Sequence, residues 1–366
     1  MKKITIISFD SINNPFYGGG GAIVIHEIAK RLAKQYALTI VTSSYPGSQS
    51  EMIDGVLYKR IPGLSFSPRI SQLLFQFILP FYAPGIISQS DIILESYTSP
   101  FSTACFQAVT NKPVIGLIQL LAGKEIGKKY HLPLQFLEAL KIRSYKYCIV
   151  LNENIQNKVK QINSHVTVTI IPNGIEDLHV KKLSHKKSAH ILYIGRIDIW
   201  QKGLDLLLEA YKQIEAQTKV KLVICGAGSP KDLDSLQELI GSQGLENKVA
   251  LMGKVEGDMK KKMFSEAICL VLPSRYETQP LTLLEAFSFG VPSICWDIPD
   301  LSWISSQECV KVKPFNTHQY ALKLLKLIQD PSFSQALSKK AKKFSQRFNW
   351  DTSVEKYQQF FEMVTN

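Results

Sequence analysis

Four residues have types and spacing that could do chemistry: Glu277, Glu285, Arg196 and Lys202. The two carboxylates lie in LPSRYETQPLTLLEAFSFG, residues 272–290. An apolar strand over 268–272 stops at Pro273, and a polar turn then carries Arg275, Tyr276 and Glu277. Residues 281–289 have helical spacing and end at Gly290, where a helix C-terminus favours glycine. This places Glu277 in the loop and Glu285 inward, two turns up the helix. A helix start offers free N–H groups and a partial positive charge, so the junction suits an anion. Carboxylates beside an anion site suggest a ligand that also has hydroxyls to hold, such as a nucleotide sugar. The plainer alternative is a solvated loop glutamate and a salt-bridged helix glutamate.

The cations come from a second junction. Tyr193-Ile194-Gly195-Arg196 ends a predicted strand, and Lys202-Gly203 opens the next helix. In an open α/β sheet, ligands bind at the carboxyl ends of strands. Arginine grips two phosphate oxygens and lysine adds a mobile point charge, so the pair could neutralise a diphosphate without a metal. Gly226 and Gly253 end the two strands that follow. One such strand end alone is weak; Arg196, Lys202, Gly226, Gly253 and Glu277 on one rim make a strong set. The alternative for the cations is two surface charges on a loop.

The elements that must present these groups follow a strand–helix rhythm in two halves. In the first, strands fit 4–9, 38–42, 56–61, 91–95, 114–118, 148–151 and 166–171. Helices fit between them at about 25–35, 100–109, 133–146 and 153–161, the first preceded by Gly18 to Gly21. Ile70, Leu73, Leu74, Phe77, Ile78 and Phe81 have helical spacing in a stretch whose only charge is Arg69, with Pro80 and Pro84 expected to break it. That helix reads as core or as an amphipathic element on a membrane surface. Pro172-Asn173-Gly174 marks a turn and 179–188 reads as linker. In the second half, strands fit 190–195, 220–225, 248–252, 268–272 and 292–296, with helices at 203–216, 230–241, 257–266 and 281–289. Helices at about 316–328, 331–346 and 351–364 end the chain. The alternation implies two parallel, helix-covered sheets.

Bulk properties agree. A chain of 366 residues exceeds a typical single core. Its net charge of +12 is spread over both halves, which suits phosphorylated substrates or an anionic membrane as well as nucleic acid. The six cysteines lack CxxC spacing and read as buried thiols, with neither a metal site nor a disulfide framework. The apolar run at 4–9 is too short for a signal peptide, and no uninterrupted apolar stretch has the length of a membrane span. The expected compartment is the cytoplasm.

With these residues in view, the chain resembles the retaining glycosyltransferases of family 4, of GT-B fold. The stretches that carry the likeness are IPNGIE at 171–176, LYIGRIDIWQKGLDLLLEA at 192–210, LVICGAGSP at 222–230, LMGKV at 251–255 and VLPSRYETQPLTLLEAFSFGVPSI at 271–294. GGGGAIVIHEIAKRLA near the start and NWDTSVEKY near the end extend it. The resemblance implies two Rossmann-like, doubly wound domains facing a cleft: an acceptor domain over 1–172, with a C-terminal helix at about 348–366 packed back on it, and a donor domain over 173–347. It implies that Arg196 and Lys202 hold the donor diphosphate, that Glu285 bonds the donor ribose, and that Glu277 lies by the transferred sugar. Gly253, Lys254 and Val255 would line the base. Gly19 and Gly20 would face the diphosphate, and Gly226, Leu281 and Thr282 complete the donor set. It implies no metal and no cofactor beyond a nucleoside diphosphate sugar as co-substrate.

Three departures stand out. The usual Gly-Phe-Gly after the first glutamate is Thr278-Gln279-Pro280, and a Gly-Gly segment is replaced by 296–301. A histidine common on the acceptor side is Gln119, leaving His26 and His131 as candidates there. The expected activity is retaining, metal-independent transfer of a hexosyl group to a hydroxyl acceptor, in cell-envelope polysaccharide or glycolipid synthesis. A lipid-linked glycan acceptor and an anionic membrane surface are the expected partners, with no nucleic acid, and the expected place is the inner membrane face. The alternatives are an inactive subunit that binds a nucleotide sugar or a membrane, or a sugar phosphorylase or epimerase on the same fold.

Overall fold

The computed structural model of the chain describes residues 1–14, 19–63, 68–100, 102, 106–176 and 190–365. The expected linker at 179–188 and Gly18 lie outside them. The chain divides into two units, Met1–Gly174 with Trp350–Asn366, and Ile175–Asn349.

The first unit holds an eight-stranded sheet. Its strands are β1 (Lys3–Ile7), β2 (Ala37–Ser43), β3 (Glu51–Ile53), β4 (Val56–Ile61), β5 (Ile92–Ser96), β6 (Val114–Ile118), β7 (Tyr147–Val150) and β8 (Thr167–Ile170), in the order β3-β4-β2-β1-β5-β6-β7-β8. All neighbours are parallel except the β3–β4 hairpin. Ile4 and Ile6 are fully buried, as a central strand covered on both faces requires. On one face lies the helix Gly20–Leu32, which buries Val24, Ile25, Ile28 and Leu32. The terminal helix Trp350–Thr365 packs against it, and Arg31 lies over the Trp350 ring.

The apolar helix corrects the sequence reading. It runs as Pro68–Ser88, straight through Pro80 and Pro84. Phe75, Leu79, Ala83 and Ile86 enter the core, Phe75 meeting Phe9 edge-on at 5.7 Å. Phe77 and Phe81 point the other way, 73% and 84% exposed. By length and composition Ile70–Ser88 could cross a membrane, at mean hydropathy 1.5, but its inner residues are committed to the sheet. The helix expected at 100–109 is a single 3₁₀ turn, Phe106–Ala108, among the described residues. A helix at Gly123–Tyr130 and the short strands β3 and Val310–Val312 were not expected.

The second unit holds β9 (His190–Ile194), β10 (Lys221–Cys225), β11 (Val249–Gly253), β12 (Ala267–Leu272), β13 (Ser293–Trp296) and β14 (Val310–Val312), all parallel, in the order β11-β10-β9-β12-β13-β14. The chain builds outward from β9 in one direction and from β12 in the other. The β9/β12 boundary is therefore the topological switch point, where the loops part and leave a crevice. Leu192, Leu208, Leu222, Phe264, Leu270 and Phe287 are part of the core beneath. The expected helix at 203–216 runs only over Leu204–Lys212, and a separate turn, Ile199–Lys202, precedes it. Gly203 separates them at φ +66°, and a Cβ there would lie 2.0 Å from the Pro273 carbonyl oxygen.

Candidate active site

The switch point of the second unit brings together segments far apart in sequence. After β9, the Tyr193 hydroxyl donates to the Arg196 carbonyl at 2.8 Å and fixes the turn. Asp198 caps the next helical turn by accepting from Gln201 N–H at 2.8 Å. That turn delivers Lys202, whose ammonium donates to Glu277 Oε1. Arg196 stays half-exposed, its guanidinium on Gln201 Oε1 and 3.9 Å from Asp198. Gln201 thus steers the arginine, a role the sequence reading missed because five residues separate them along an irregular turn.

The loop that carries Glu277 is pinned from both sides. Arg275 forms a two-pronged pair with Asp205, at 2.8 and 2.6 Å, and donates to the Trp200 carbonyl at 2.7 Å. Trp296 N–H donates to the Pro273 carbonyl and Trp303 N–H to the Thr278 carbonyl, each at 2.7 Å. The tryptophan at one departure from the family pattern therefore holds the loop in which the other departure falls. Ser274 Oγ lies 3.3 Å from Glu277 Oε1. Thr278 Oγ1 is buried with no hydrogen-bond partner among the described residues.

Beyond Pro280 the helix Leu281–Ser288 begins, and its first amides, at Leu281 and Thr282, have no partner within the helix. Glu285 lies one turn in from Leu281 rather than the expected two, because the helix begins only at Leu281. Its Oε1 accepts from Lys260 at 2.5 Å, while Oε2 is buried with no partner among the described residues. Burial pushes the carboxyl above the usual range, and the Lys260 ammonium pulls it partly back. Lys260 is the first of three consecutive lysines, Lys260 to Lys262. Helix spacing gives no hint of Glu285, because the partner lies on another element.

The glycines divide by role. A Cβ on Gly226 would fall 1.8 Å from the Gly195 carbonyl oxygen, and Gly226 N–H donates to the Gly253 carbonyl at 2.7 Å. Gly226 thus lets neighbouring strand ends close up. Gly253 adopts φ +67° with open space around it. Lys254 is exposed and pairs with Glu256 at 2.7 Å, and Val255 packs partly against the core.

In the first unit, Gly19 precedes the helix that opens at Gly20, and its N–H donates to Asp10 at 3.2 Å. His26 is one of the two histidines expected on the acceptor side. It is buried, with Nδ1 2.8 Å from the Tyr58 hydroxyl and Nε2 3.0 Å from Asp54, so both ring nitrogens serve the fold. His131 ends the helix Gly123–Tyr130 at φ +54°. Gln119 follows β6 with its Nε2 buried and without a partner among the described residues. Its Oε1 lies 3.6 Å from where a Cβ on Gly21 would sit.

Two family models match adjoining stretches of the chain: Glycosyltransferase Family 4 over residues 18–177 and Glycosyl transferases group 1 over residues 174–344. An uncharacterized glycosyltransferase of Methanocaldococcus jannaschii is 26% identical over 375 residues, 95% of each chain. The solved structure of sucrose-phosphate synthase from Thermosynechococcus elongatus is similar at a TM-score of 0.86 and 19% identity, over 100% of this chain and 99% of that one. Anabaena HepE in complex with UDP-glucose is similar at 0.78 and 15% identity, over 99% and 100%. These likenesses give the chain the GT-B fold that its sequence led us to expect.

Proposed function

The chain belongs to the group 1 glycosyltransferases, and on that premise we propose that it transfers a sugar from a nucleoside diphosphate sugar to a hydroxyl with retention of configuration. The observation that carries this reading is the switch-point rim itself, where Arg196, Lys202 and the first amides of the helix at Leu281 lie with Glu277 and Glu285. Three sources of positive charge suit a diphosphate, and the carboxylates suit hydroxyls. UDP-glucose in the complex with HepE supports a donor of this class.

In the proposed reaction the bond from the sugar C1 to the phosphate oxygen breaks, and its electron pair stays on the phosphate. Arg196 and Lys202 stabilise that charge as it develops, which is the electrostatic part of the rate enhancement. The acceptor oxygen bonds to C1 on the same face, and its proton passes to the departing phosphate. Lys202 donates to Glu277. A bound diphosphate competes for that ammonium and frees Glu277 for a sugar hydroxyl and for the positive charge on the sugar. The protein cations take the place of a metal in this scheme, so transfer persists in excess EDTA.

We further place the acceptor at a membrane, as a lipid-linked glycan or glycolipid handled at the cytoplasmic face. Phe77 and Phe81 on the outer side of Pro68–Ser88 support this, because they are exposed where a core helix would bury them.

The test is a thermal-shift panel of uridine, adenosine and guanosine diphosphate sugars, followed by transfer and hydrolysis assays with and without EDTA. A rise in melting temperature with one donor, and turnover of it, is expected. Binding without turnover would favour an inactive subunit. Sugar 1-phosphate as product would favour a phosphorylase, an epimerised donor an epimerase, and loss of activity in EDTA restored by Mg²⁺ would sink the metal-independent scheme.

A further inference from the structure

The Glu285 carboxylate is unusual in how little holds it. An ionised carboxylate can accept about four hydrogen bonds. Glu285 Oε1 accepts from Lys260 at 2.5 Å, and its second oxygen is buried with no partner among the described residues. Leaving a buried acceptor unsatisfied is costly unless something completes it. Lys260 comes from the helix Gly257–Ser265, an element that supplies no other rim residue.

Among the described residues, the elements packed on Glu285 bring no rival charge. The Leu281–Ser288 helix contains no other ionisable residue, and β12 and β13 contain no acidic or basic side chain. The helix Pro331–Ser345 packs on the same element and brings Lys342 near Gly290, beyond the far end. Lys260 is the charged group acting on Glu285. Its side chain keeps 28% of its exposure, against 20% for Glu285, so the ammonium can hold the carboxylate without being fully desolvated itself.

We propose that Lys260 is a positioning residue of the donor site, holding the Glu285 carboxylate in the orientation that the hydroxyls of a donor ribose meet. This rests on the reading of Glu285 as the ribose ligand. Lys260 acts through Glu285 and makes no contact with donor of its own. Without it, burial alone acts on the carboxyl, which protonates more readily and loses an acceptor.

Lys260→Met, Lys260→Arg, Glu285→Gln and the Lys260→Met/Glu285→Gln double variant test this. The readouts are donor KM and kcat, calorimetric titration with UDP, GDP and ADP, and urea unfolding as a control on the fold. Lys260→Met is expected to raise KM and weaken the tightest-binding nucleotide by about tenfold, leaving kcat within about threefold. The KM increase grows as the pH is lowered, because protonation of Glu285 removes the acceptor. Lys260→Arg recovers most of the affinity. The double variant binds no more weakly than Glu285→Gln, since a residue acting only through another has nothing further to lose. A further loss in the double variant would mean that Lys260 touches the donor directly, and overturn the proposal. So would a Lys260→Met enzyme with wild-type KM beside an impaired Glu285→Gln, which would leave the ribose reading standing. A Glu285→Gln enzyme with wild-type KM would overturn both.

Discussion

The two sheets share a plan but use their charged side chains differently. At the carboxyl edge of the second, cations and carboxylates pair across long sequence separations and keep partial access to solvent: Lys202 with Glu277, and Lys260 with Glu285. In the first unit the comparable polar groups are spent on the fold. His26 is tied to Tyr58 and Asp54, and Arg60, 3% exposed, is tied to Glu51 and stacked on Tyr45. That unit also presents apolar side chains outward, at Phe77 and Phe81. The difference teaches that a titratable residue near a strand end is informative only once its partners are known. A histidine with both nitrogens engaged is architecture, whereas a lysine whose one carboxylate partner a ligand can replace is available for chemistry.

The contrast breaks most sharply at Arg196 and Lys202. Substituting either by alanine is expected to lower turnover by about 100-fold or more, the scale of losing one preorganised charge contact. The fold should persist, since Arg196 is half-exposed and Lys202 ends a short surface turn. Near wild-type kcat in either purified variant would remove the diphosphate assignment.

His26→Ala should give the opposite pattern. It deletes two buried or partly buried hydrogen bonds and strands the Tyr58 hydroxyl, so a loss of about 1–3 kcal/mol in stability is expected from urea unfolding. Turnover per folded molecule should stay within a few-fold of wild type. A catalytic collapse at unchanged stability would return His26 to the acceptor site and erase the distinction between the two units.

The smallest effect on turnover is expected from Phe77→Asp. Because Phe77 is 73% exposed, the variant should fold normally and transfer to a soluble acceptor analogue unchanged. Its flotation with anionic liposomes should fall, and wild-type flotation should weaken with added salt, as expected for apolar insertion combined with a basic protein. Absence of wild-type flotation at low salt would leave the apolar face without a membrane role.

Much of this was legible in the chain. The alternation of β-branched runs with helical spacing foretold two parallel sheets, because a strand buried on both faces leaves a continuous apolar run and its covering helices leave a 3.6-residue period. Gly290 marked the end of a helix because a left-handed backbone favours glycine. The eight-residue spacing placed Glu277 in a loop and Glu285 in the following helix, since both positions are set by local structure.

What the sequence could not supply was partnership. Lys202 meets Glu277 across 75 positions, and Lys260 meets Glu285 across 25, because strand order at the switch point brings their loops and helices side by side. The apolar helix shows the same limit. Its residues are hydrophobic almost all round, so periodicity alone could not say whether Phe75 or Phe77 faces the core. The sheet decided it by covering Phe75, Leu79, Ala83 and Ile86, and by leaving Phe77 and Phe81 outside. A local pattern fixes each segment's conformation; which of its side chains are satisfied, and which remain to meet a ligand, depends on the elements packed beside it.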